Sequence, residues 1–310
     1  MITIQAPAKL NLSLAVLARR SDGFHDIESL MVPVTLHDTL VMRPVADPAV
    51  RLSVRFGGCL ARPEAAPLRR DVPADESNLV VRAARLLAAE AGESRGLEID
   101  LVKEIPSGAG LGGGSSDAAA ALVGAAQAWG IDWPRPRLVE LAARLGSDVP
   151  FFLVGGPAIA SGRGEALVPV VGIPPLAAVI ACPAEGLATA AVYARCAPDG
   201  GRRGLARRLA DALVAGDLRG ACAAMHNDLE PPARTLSAAV GRLLEALAAA
   251  GAMRPLLTGS GSACFALART IDEAQGIAAR LRAAGWPGVF PVQVAAAAAG
   301  GGPRPGRLPS

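Results

Sequence analysis

The sequence predicts an α+β protein made of two domains. The chain has 310 residues, which is enough for two modest domains that each bury a core of their own. In the first half, residues 97–101 alternate apolar and charged side chains, as strands do in a sheet with one solvated face. In the second half, apolar strands alternate with helices, which is typical of a two-layer α/β plait. We therefore predict one domain over residues 1–162, a second over 163–294, and a disordered low-complexity tail over 295–310.

Patterns of apolar, capping and turn residues predict the individual elements in order. In the first domain, strands are predicted over residues 2–4, 10–14, 32–42, 50–56 and 97–105, and helices over 79–91, 117–129 and 138–145. In the second domain, strands are predicted over 176–181, on both sides of a glycine turn within 257–265, and over 289–294. Helices are predicted over 205–215, 218–225, 236–250 and 272–284. Residues 59–75 are rich in proline and arginine, and we expect a surface loop there.

Composition and charge argue against several classes of protein. The chain is 51% hydrophobic, yet it has no apolar run long enough to cross a bilayer and no signal-peptide layout at its start, which predicts a cytoplasmic protein. A net charge of +3 without a basic stripe of interleaved aromatic residues argues against a nucleic-acid partner. The five cysteines are scattered, which favours reduced thiols over metal ligands. We expect a monomer or a weak homodimer that does not bind membranes.

Lysine is rare in this chain. Of its 31 lysine and arginine residues, only Lys9 and Lys103 are lysine. An ammonium group is a compact point charge, whereas a guanidinium group is a wide planar fork, so a retained lysine marks a place where arginine does not serve. Lys9 and Asn11 alternate with leucines and therefore share one face of a strand. That face is either solvated or directed into a functional site.

The most informative segment is PSGAGLGGGSS at residues 106–116, directly before an alanine-rich helix. Glycines let backbone N–H groups approach a ligand closely, and a helix N-terminus adds unpaired donors and a partial positive charge. Together these features predict a phosphate-binding loop rather than a simple flexible connection. We expect a side chain at Gly112 or Gly113 to intrude on the bound phosphate.

Two other phosphate-binding patterns fit this segment less well. The Walker pattern needs a lysine directly after its last glycine, and here Ser115 follows Gly114. The spacing of Gly108, Gly110 and Gly113 satisfies the dinucleotide fingerprint. However, a dinucleotide fold needs a continuously apolar strand before the loop and another strand after the helix, and neither pattern is present.

The segment resembles the ATP-binding motif of the GHMP kinases, whose form P-x-x-x-G-L-G-G-G-S-S it matches without a gap. Two further family motifs are present in order, G-S-D-V-P-F-F at residues 146–152 and L-T-G-S-G-S at 257–262. The strings A-P-A-K-L-N-L at 6–12 and R-S-D-G-F-H at 20–25 resemble one branch of the family, whose members act on a CDP-linked methylerythritol. These similarities span most of the chain.

The resemblance implies a first domain like the second domain of ribosomal protein S5, a ferredoxin-like second domain, and an active site between them. It implies that Asp148 accepts the proton of the substrate hydroxyl and that Lys9 holds Asp148 and neutralises developing charge. Mg²⁺ is expected with ATP, and Ser116 is a candidate ligand for it. The residues expected to bind ATP are Pro106, Ser107, Gly108, Ala109, Gly110, Leu111, Gly112, Gly113, Gly114, Ser115, Ser116 and Asn78. For Asn78, a simple helix cap is the competing interpretation.

The same resemblance implies a pocket for the cytosine of the substrate, with Phe24 and Tyr193 on its two faces and His25 at the edge of the base. The residues expected to bind substrate are Asn11, Phe24, His25, Asp148, Thr189, Tyr193, Gly259, Ser260 and Gly261. Alternatively, Tyr193 packs at a domain edge. Two alternative functions also remain, another small-molecule GHMP kinase of the homoserine or mevalonate type, and a nucleotide-binding homologue without catalytic activity.

Overall fold

The computed structural model describes residues 1–70 and 72–294, and this part of the chain forms two sheets covered by helices. The strands are β1 Ile2–Arg19, β2 His25–Val45, β3 Val50–Phe56, β4 Gly96–Lys103, β5 Ala158–Gly162, β6 Ala166–Pro169, β7 Ala177–Cys182, β8 His226–Asn227, β9 Met253–Leu257, β10 Cys264–Ala268 and β11 Gly288–Gln293. The helices are α1 Leu79–Ala91, α2 Gly113–Trp129, α3 Arg135–Leu145, α4 Val149–Val154, α5 Thr189–Tyr193, α6 Leu205–Val214, α7 Leu218–Ala224, α8 Glu230–Leu236, α9 Ala238–Ala249 and α10 Ile271–Ala283.

The first sheet has the strand order β3-β4-β2-β1-β8, with β5 paired to β2 and β6 paired to β5. Its helix-covered face packs on the alanine-rich helix α2, and the core there combines alanines of α2 with leucine and isoleucine side chains of β4. Small side chains allow this close approach of helix and sheet, and Gly124 is the extreme case, because a Cβ atom there would collide with the side chain of Met42. The packing fixes where α2 begins.

The second sheet has the order β11-β7-β10-β9, and every neighbouring pair in it is antiparallel. The connection from β7 to β9 contains helices α5 to α9, and the connection from β10 to β11 contains α10. This β-α-β-β-α-β order is the ferredoxin-like plait that was expected. The two sheets share an apolar layer, in which Leu10 and Leu12 of β1 belong to one buried cluster with Ile180 of β7 and Phe265 of β10.

The structure differs from the predicted elements in several places. The predicted helix over 236–250 begins later, as α9 at Ala238, because Ser237 is extended (φ −141°), and a separate helix, α8, precedes it over residues for which no helix was predicted. Helix α2 begins at Gly113, four residues before the predicted start at residue 117. The expected surface loop over 59–75 contains two short 3₁₀ helices, Gly58–Ala61 and Pro63–Leu68, which bury three apolar side chains (Leu60, Ala65 and Leu68) in the shared layer. The first strand pattern is one continuous strand of 18 residues.

The two halves of the chain are interleaved at the predicted domain boundary. The β5–β6 hairpin crosses residue 162, so that β6 completes the first sheet, and β8 from the second half adds a parallel edge to β1. The predicted tail over 295–310 lies outside the described residues. Within the described residues, no helix is both long and apolar enough to cross a membrane.

Candidate active site

The glycine loop joins β4 to α2 and turns its carbonyl groups towards the protein. The carbonyl of Ala109 accepts a hydrogen bond from Ala263 N–H at 3.1 Å, and that of Leu111 accepts one from Lys9 N–H at 2.9 Å. Among the described residues, by contrast, no group accepts a hydrogen bond from the N–H groups of residues 107–115. A run of backbone donors without protein partners, ending at a helix N-terminus, is suited to binding phosphate.

Close packing requires glycine at two positions of the loop. Gly110 has φ +82°, and a Cβ atom there would collide with the carbonyl oxygen of Thr258. Gly112 has φ +71°, and its Cβ would lie 2.9 Å from the Phe152 ring and 3.0 Å from the Lys9 side chain. The expectation that side chains at Gly112 would enter the phosphate space is therefore wrong, because that position already touches protein atoms.

The next two glycines, Gly113 and Gly114, differ in the space around them. A Cβ at Gly113 would also meet protein first, at 3.0 Å from the Ile105 side chain. A Cβ at Gly114 meets nothing within 4 Å, and this glycine is exposed. Gly114, in the first turn of α2, is therefore the glycine of this segment at which an added side chain enters open space.

The second lysine, Lys103 at the end of β4, ties α2 to the first sheet through two ion pairs. Its ammonium is 2% exposed and donates hydrogen bonds to Asp38 and, at 2.6 Å, to Asp117 in the first turns of α2. Burial alone disfavours the charged form, but the two carboxylates raise the pKa of Lys103 above its ordinary value. Asp38 also accepts a hydrogen bond from Ile105 N–H at 2.8 Å, so both ends of the loop are tied to the first sheet.

Lys9 and Asn11 share one face of β1, as the alternation predicted, and both side chains are buried, with Lys9 next to Gly112 and Gly259. The Lys9 ammonium donates to the Asn11 side-chain oxygen, and the Asn11 amide donates to Ser29 Oγ at 2.8 Å. Lys9 is buried, which lowers its pKa, and the charge of Asp148 partly opposes that shift. The interaction with Asp148 is through space, since the described residues show no direct ion pair between them. The expectation that Lys9 holds Asp148 directly stays a prediction.

Asp148 directly precedes α4 but does not cap it. Its backbone is helical (φ −84°, ψ −15°), and its side chain accepts no hydrogen bond from the helix. The carboxylate is half-buried, and its charge contributes, after burial, to the raised pKa of Tyr193. The Asp148 carboxylate is therefore available to contact a substrate.

Asn78, in contrast, uses both polar groups of its side chain in local hydrogen bonds. Its side-chain oxygen accepts from Val80 N–H at 2.9 Å, as a helix cap does, and its side-chain amide donates to the Pro73 carbonyl.

A cavity of about 790 Å³ is lined by four residues expected to bind substrate, Phe24, His25, Thr189 and Tyr193, and the charge of Asp148 acts on Tyr193 in its wall. The rings of His25 and Tyr193 are in contact in a tilted arrangement, with their centroids 5.2 Å apart and an interplanar angle of 32°. Phe24 is 52% exposed. Burial lowers the pKa of His25, so the imidazole is biased towards its neutral form. The cavity thus combines aromatic surfaces with a neutral group that both donates and accepts hydrogen bonds.

The third glycine turn is the segment between β9 and β10 that carries the third family motif, L-T-G-S-G-S. It connects the cavity to the glycine loop. Ser260 Oγ and Thr189 Oγ1 are 2.9 Å apart, which joins the turn to the cavity wall. A Cβ at Gly259 would lie 3.0 Å from the Gly110 carbonyl oxygen and 3.2 Å from Lys9 Nζ. The turn, including Gly261 (φ +80°), is therefore packed against both the loop and the lysine.

Comparison with known proteins agrees with this geometry. Residues 78–156 match the family described as GHMP kinases N terminal domain, and residues 209–286 match GHMP kinases C terminal. A 4-diphosphocytidyl-2-C-methyl-D-erythritol kinase of Pelotomaculum thermopropionicum is 42% identical over 283 residues, which cover 91% of this chain and 94% of the relative. The kinase of the same name from Thermobifida fusca is 43% identical over 288 residues, 92% of each chain. The chain belongs to the GHMP kinases, in the group of the 4-diphosphocytidyl-2-C-methyl-D-erythritol kinases.

Solved structures of GHMP kinases support the same assignment. A crystal structure of 4-(cytidine 5'-diphospho)-2C-methyl-D-erythritol kinase has a TM-score of 0.76 at 36% identity and covers 95% of this chain and 100% of that one. A homoserine kinase from Cytophaga hutchinsonii has a TM-score of 0.72 at 22% identity over 95% and 94% of the two chains, which shows a shared fold. The resemblance and the two-domain GHMP kinase fold inferred from the sequence motifs are thus confirmed.

Two residues at this GHMP kinase site were not singled out from the sequence. Arg163, in the β5–β6 turn, lines the cavity and places its guanidinium 4.9 Å from the centre of the Phe24 ring. Asn227 of β8 donates hydrogen bonds of 2.8 Å to the carbonyls of Leu257 and Gly259 and so fixes the third glycine turn. The only sequence signal for Arg163 is its position between two glycines, and Asn227 has none.

Proposed function

We propose that this kinase transfers the γ-phosphoryl group of ATP to the 2-hydroxyl of 4-diphosphocytidyl-2-C-methyl-D-erythritol, giving the 2-phosphate and ADP. This reaction belongs to the non-mevalonate route to isoprenoid precursors. Relatives of that name match more than 90% of the chain at about 40% identity. The observation in the structure that best supports this substrate is the cavity lined by Phe24, His25 and Tyr193, because its aromatic walls suit a planar base.

The glycine loop is proposed to hold the triphosphate. Its unpartnered N–H groups over residues 107–115 supply hydrogen bonds, and the α2 N-terminus supplies a favourable dipole. Phosphoryl transfer depends mainly on positioning and on stabilisation of charge, and a rigid loop meets the first requirement. The buried ion pairs of Lys103 with Asp38 and Asp117 provide that rigidity at the two ends of the loop.

Mg²⁺ is proposed to accompany ATP, with Ser116 as its protein ligand. The hydroxyl of Ser116 is buried and makes no hydrogen bond within the described part of the chain, so a hard oxygen ligand is available there. When bound, Mg²⁺ neutralises charge on the phosphate oxygens. The described residues contain no cluster of three or more His, Cys, Asp or Glu side chains that could hold a metal alone, which fits an ion that takes its other ligands from phosphate and water.

Asp148 and Lys9 are proposed to carry out the chemical step. Asp148 accepts the proton of the substrate 2-hydroxyl, whose oxygen then attacks the γ-phosphorus as the bond to the β-phosphate oxygen breaks. The buried Lys9 ammonium stabilises the negative charge that develops on the attacking oxygen and the γ-phosphoryl oxygens. Asn11 orients that ammonium through their hydrogen bond.

The cavity is proposed to bind the cytidine half of the substrate. The cytosine would stack on Phe24 and Tyr193, and His25 would form hydrogen bonds with the edge of the base. A homoserine or mevalonate kinase acts on a substrate without a base and needs no such pocket. The aromatic lining therefore favours the CDP-linked acceptor over these relatives of the same fold.

A coupled ADP-release assay across several acceptors tests this function. We expect turnover with the CDP-linked methylerythritol and little or none with homoserine, mevalonate or 2-C-methylerythritol 4-phosphate, which lacks the base. Equal turnover of the last compound would contradict the cytosine pocket. The accompanying expectations of a cytoplasmic enzyme and of a monomer or weak homodimer are tested by cell fractionation and by gel filtration over a concentration series.

A further inference from the structure

Arg70 reaches the glycine loop from the segment that was expected to be a surface loop. Its Nη1 donates a hydrogen bond of 3.1 Å to the carbonyl oxygen of Gly108, the first glycine of the loop. The guanidinium also lies against Gly186, which follows β7 of the second sheet, so closely that a Cβ atom at Gly186 would overlap it. Arg70 thus lies between Gly108 of the glycine loop and Gly186 of the second half of the chain.

Arg70 is also a cation at the edge of the loop. Among residues 1–70 and 72–294, no carboxylate forms an ion pair with it, and its hydrogen bond there is to the Gly108 carbonyl. Its segment is held in place by Leu60, Ala65 and Leu68, which are buried in the layer between the sheets. Within these residues, the guanidinium is positioned by the packing of its segment and by the Gly108 carbonyl.

The hydrogen bond to Gly108 controls the direction of a peptide group. Because a trans peptide points its carbonyl and its N–H in opposite directions, a Gly108 carbonyl turned towards Arg70 turns the Ala109 N–H away from it. Gly108 has φ +62° and, as a glycine, has a wide range of backbone conformations. Without Arg70 the Gly108 carbonyl is free to rotate towards the ligand, where its partial negative charge would repel phosphate. The carbonyls of Ala109 and Leu111 are already held by other residues.

We propose that Arg70 is a positioning residue of the ATP site, which keeps the Gly108 carbonyl out of the phosphate-binding space. The inference rests on the proposed function of the glycine loop. It assigns a role in nucleotide binding to the 58–70 segment, which carries no recognised motif.

Arg70→Ala tests the proposal through nucleotide affinity. Loss of a hydrogen bond that involves a charged group is expected to weaken binding of a non-hydrolysable ATP analogue by about tenfold, measured by calorimetry without the acceptor. The KM for ATP should rise by a similar factor, while kcat at saturating ATP and the KM for the acceptor stay unchanged. Arg70→Lys, which keeps a cation and a donor, should recover part of the affinity.

Gly186→Ala provides an independent perturbation, because its new methyl group displaces the guanidinium without changing Arg70 itself. It should weaken ATP-analogue binding, and the double variant should be no weaker than Arg70→Ala alone. Arg207→Ala is the matched control, since Arg207 is an exposed arginine of α6 whose guanidinium pairs with Asp211 of the same helix. Its affinity should equal that of the wild type.

Three results would overturn the proposal. The first is wild-type affinity for the analogue in folded Arg70→Ala. The second is a lower melting temperature with equal rises in the KM for both substrates, which indicates a role in folding alone. The third is absence of analogue binding in the wild-type chain, which would refute the proposed function as well and is therefore distinguishable from the first two.

Discussion

Replacing Asp148 by Asn separates the chemical role of this residue from a structural one. The aspartate stands directly before α4, where an aspartate commonly caps a helix, yet its side chain accepts no hydrogen bond from α4. Loss of a working N-cap costs about 0.5–2 kcal/mol of stability, whereas a substitution away from such contacts stays within about 0.5 kcal/mol. We therefore expect the melting temperature of Asp148→Asn to match that of the wild type.

The expected loss is in turnover. Asn keeps the size of the side chain but cannot accept the hydroxyl proton, and general base catalysis is typically worth about 10²–10⁴-fold. We expect kcat in the coupled ADP-release assay to fall by that order, with little change in the KM for either substrate. The alkaline limb of the pH–rate profile should also move to lower pH, because the negative charge of Asp148 raises the pKa of the Lys9 ammonium that catalysis requires.

The sign of this pH effect follows from the burial of Lys9. Burial lowers its pKa below the ordinary value, so activity that needs the ammonium is lost as pH rises through the lowered pKa. Removal of Asp148 lowers that pKa further. Asp132→Asn, at an exposed position between α2 and α3, is the matched control and should leave kcat and the pH profile unchanged. Wild-type kcat in Asp148→Asn, or a clear fall in its melting temperature, would refute this reasoning.

Other substitutions test the loop, the lysine and the cavity. Gly114→Val places a side chain in open space at the first turn of α2 and should weaken ATP-analogue binding in calorimetry with little change in melting temperature, whereas Gly112→Val should lower the melting temperature, because its side chain meets protein atoms. Lys9→Arg should lose most turnover, since glycines pack against the lysine and overpacking a buried site costs about 1–3 kcal/mol; near-normal kcat would contradict this. Tyr193→Ala and Phe24→Ala should each raise the KM for the CDP-linked acceptor by roughly tenfold, by analogy with base stacking at about 1–3 kcal/mol, with ATP affinity unchanged. Unchanged KM in both would count against the pocket.

Local patterns in the sequence predicted much of this molecule. The bounds of β3 and α1 agree with the predicted ranges 50–56 and 79–91, because each is set by strong local signals, an extended run and an Asn cap. The shared face of Lys9 and Asn11 followed from strand alternation alone. The site residues were instead identified from family motifs, and their individual roles stay predictions.

Local sequence patterns could not predict contacts between segments that are distant in the chain. Nothing in the sequence near Arg70 indicates that its guanidinium reaches Gly108 and Gly186, because that contact depends on how the two sheets pack. In addition, helix α8 was not predicted, because its first turn contains Pro231 and Pro232, which local patterns associate with loops although a helix start tolerates them. Arg163 reaches the cavity because the β5–β6 turn brings it over Phe24.

The distribution of lysine and arginine follows from the space around each cation. Lys9 is enclosed by positions at which even a Cβ atom would come within 3.2 Å of it, and Lys103 is buried between two carboxylates under the loop, so a wide guanidinium fits neither place. Arg70 lies against Gly186 and donates to the loop through Nη1, so a planar group that offers several donors joins the two segments there. At these three positions the chain uses the compact cation where the charge is enclosed, and the planar one where two segments meet.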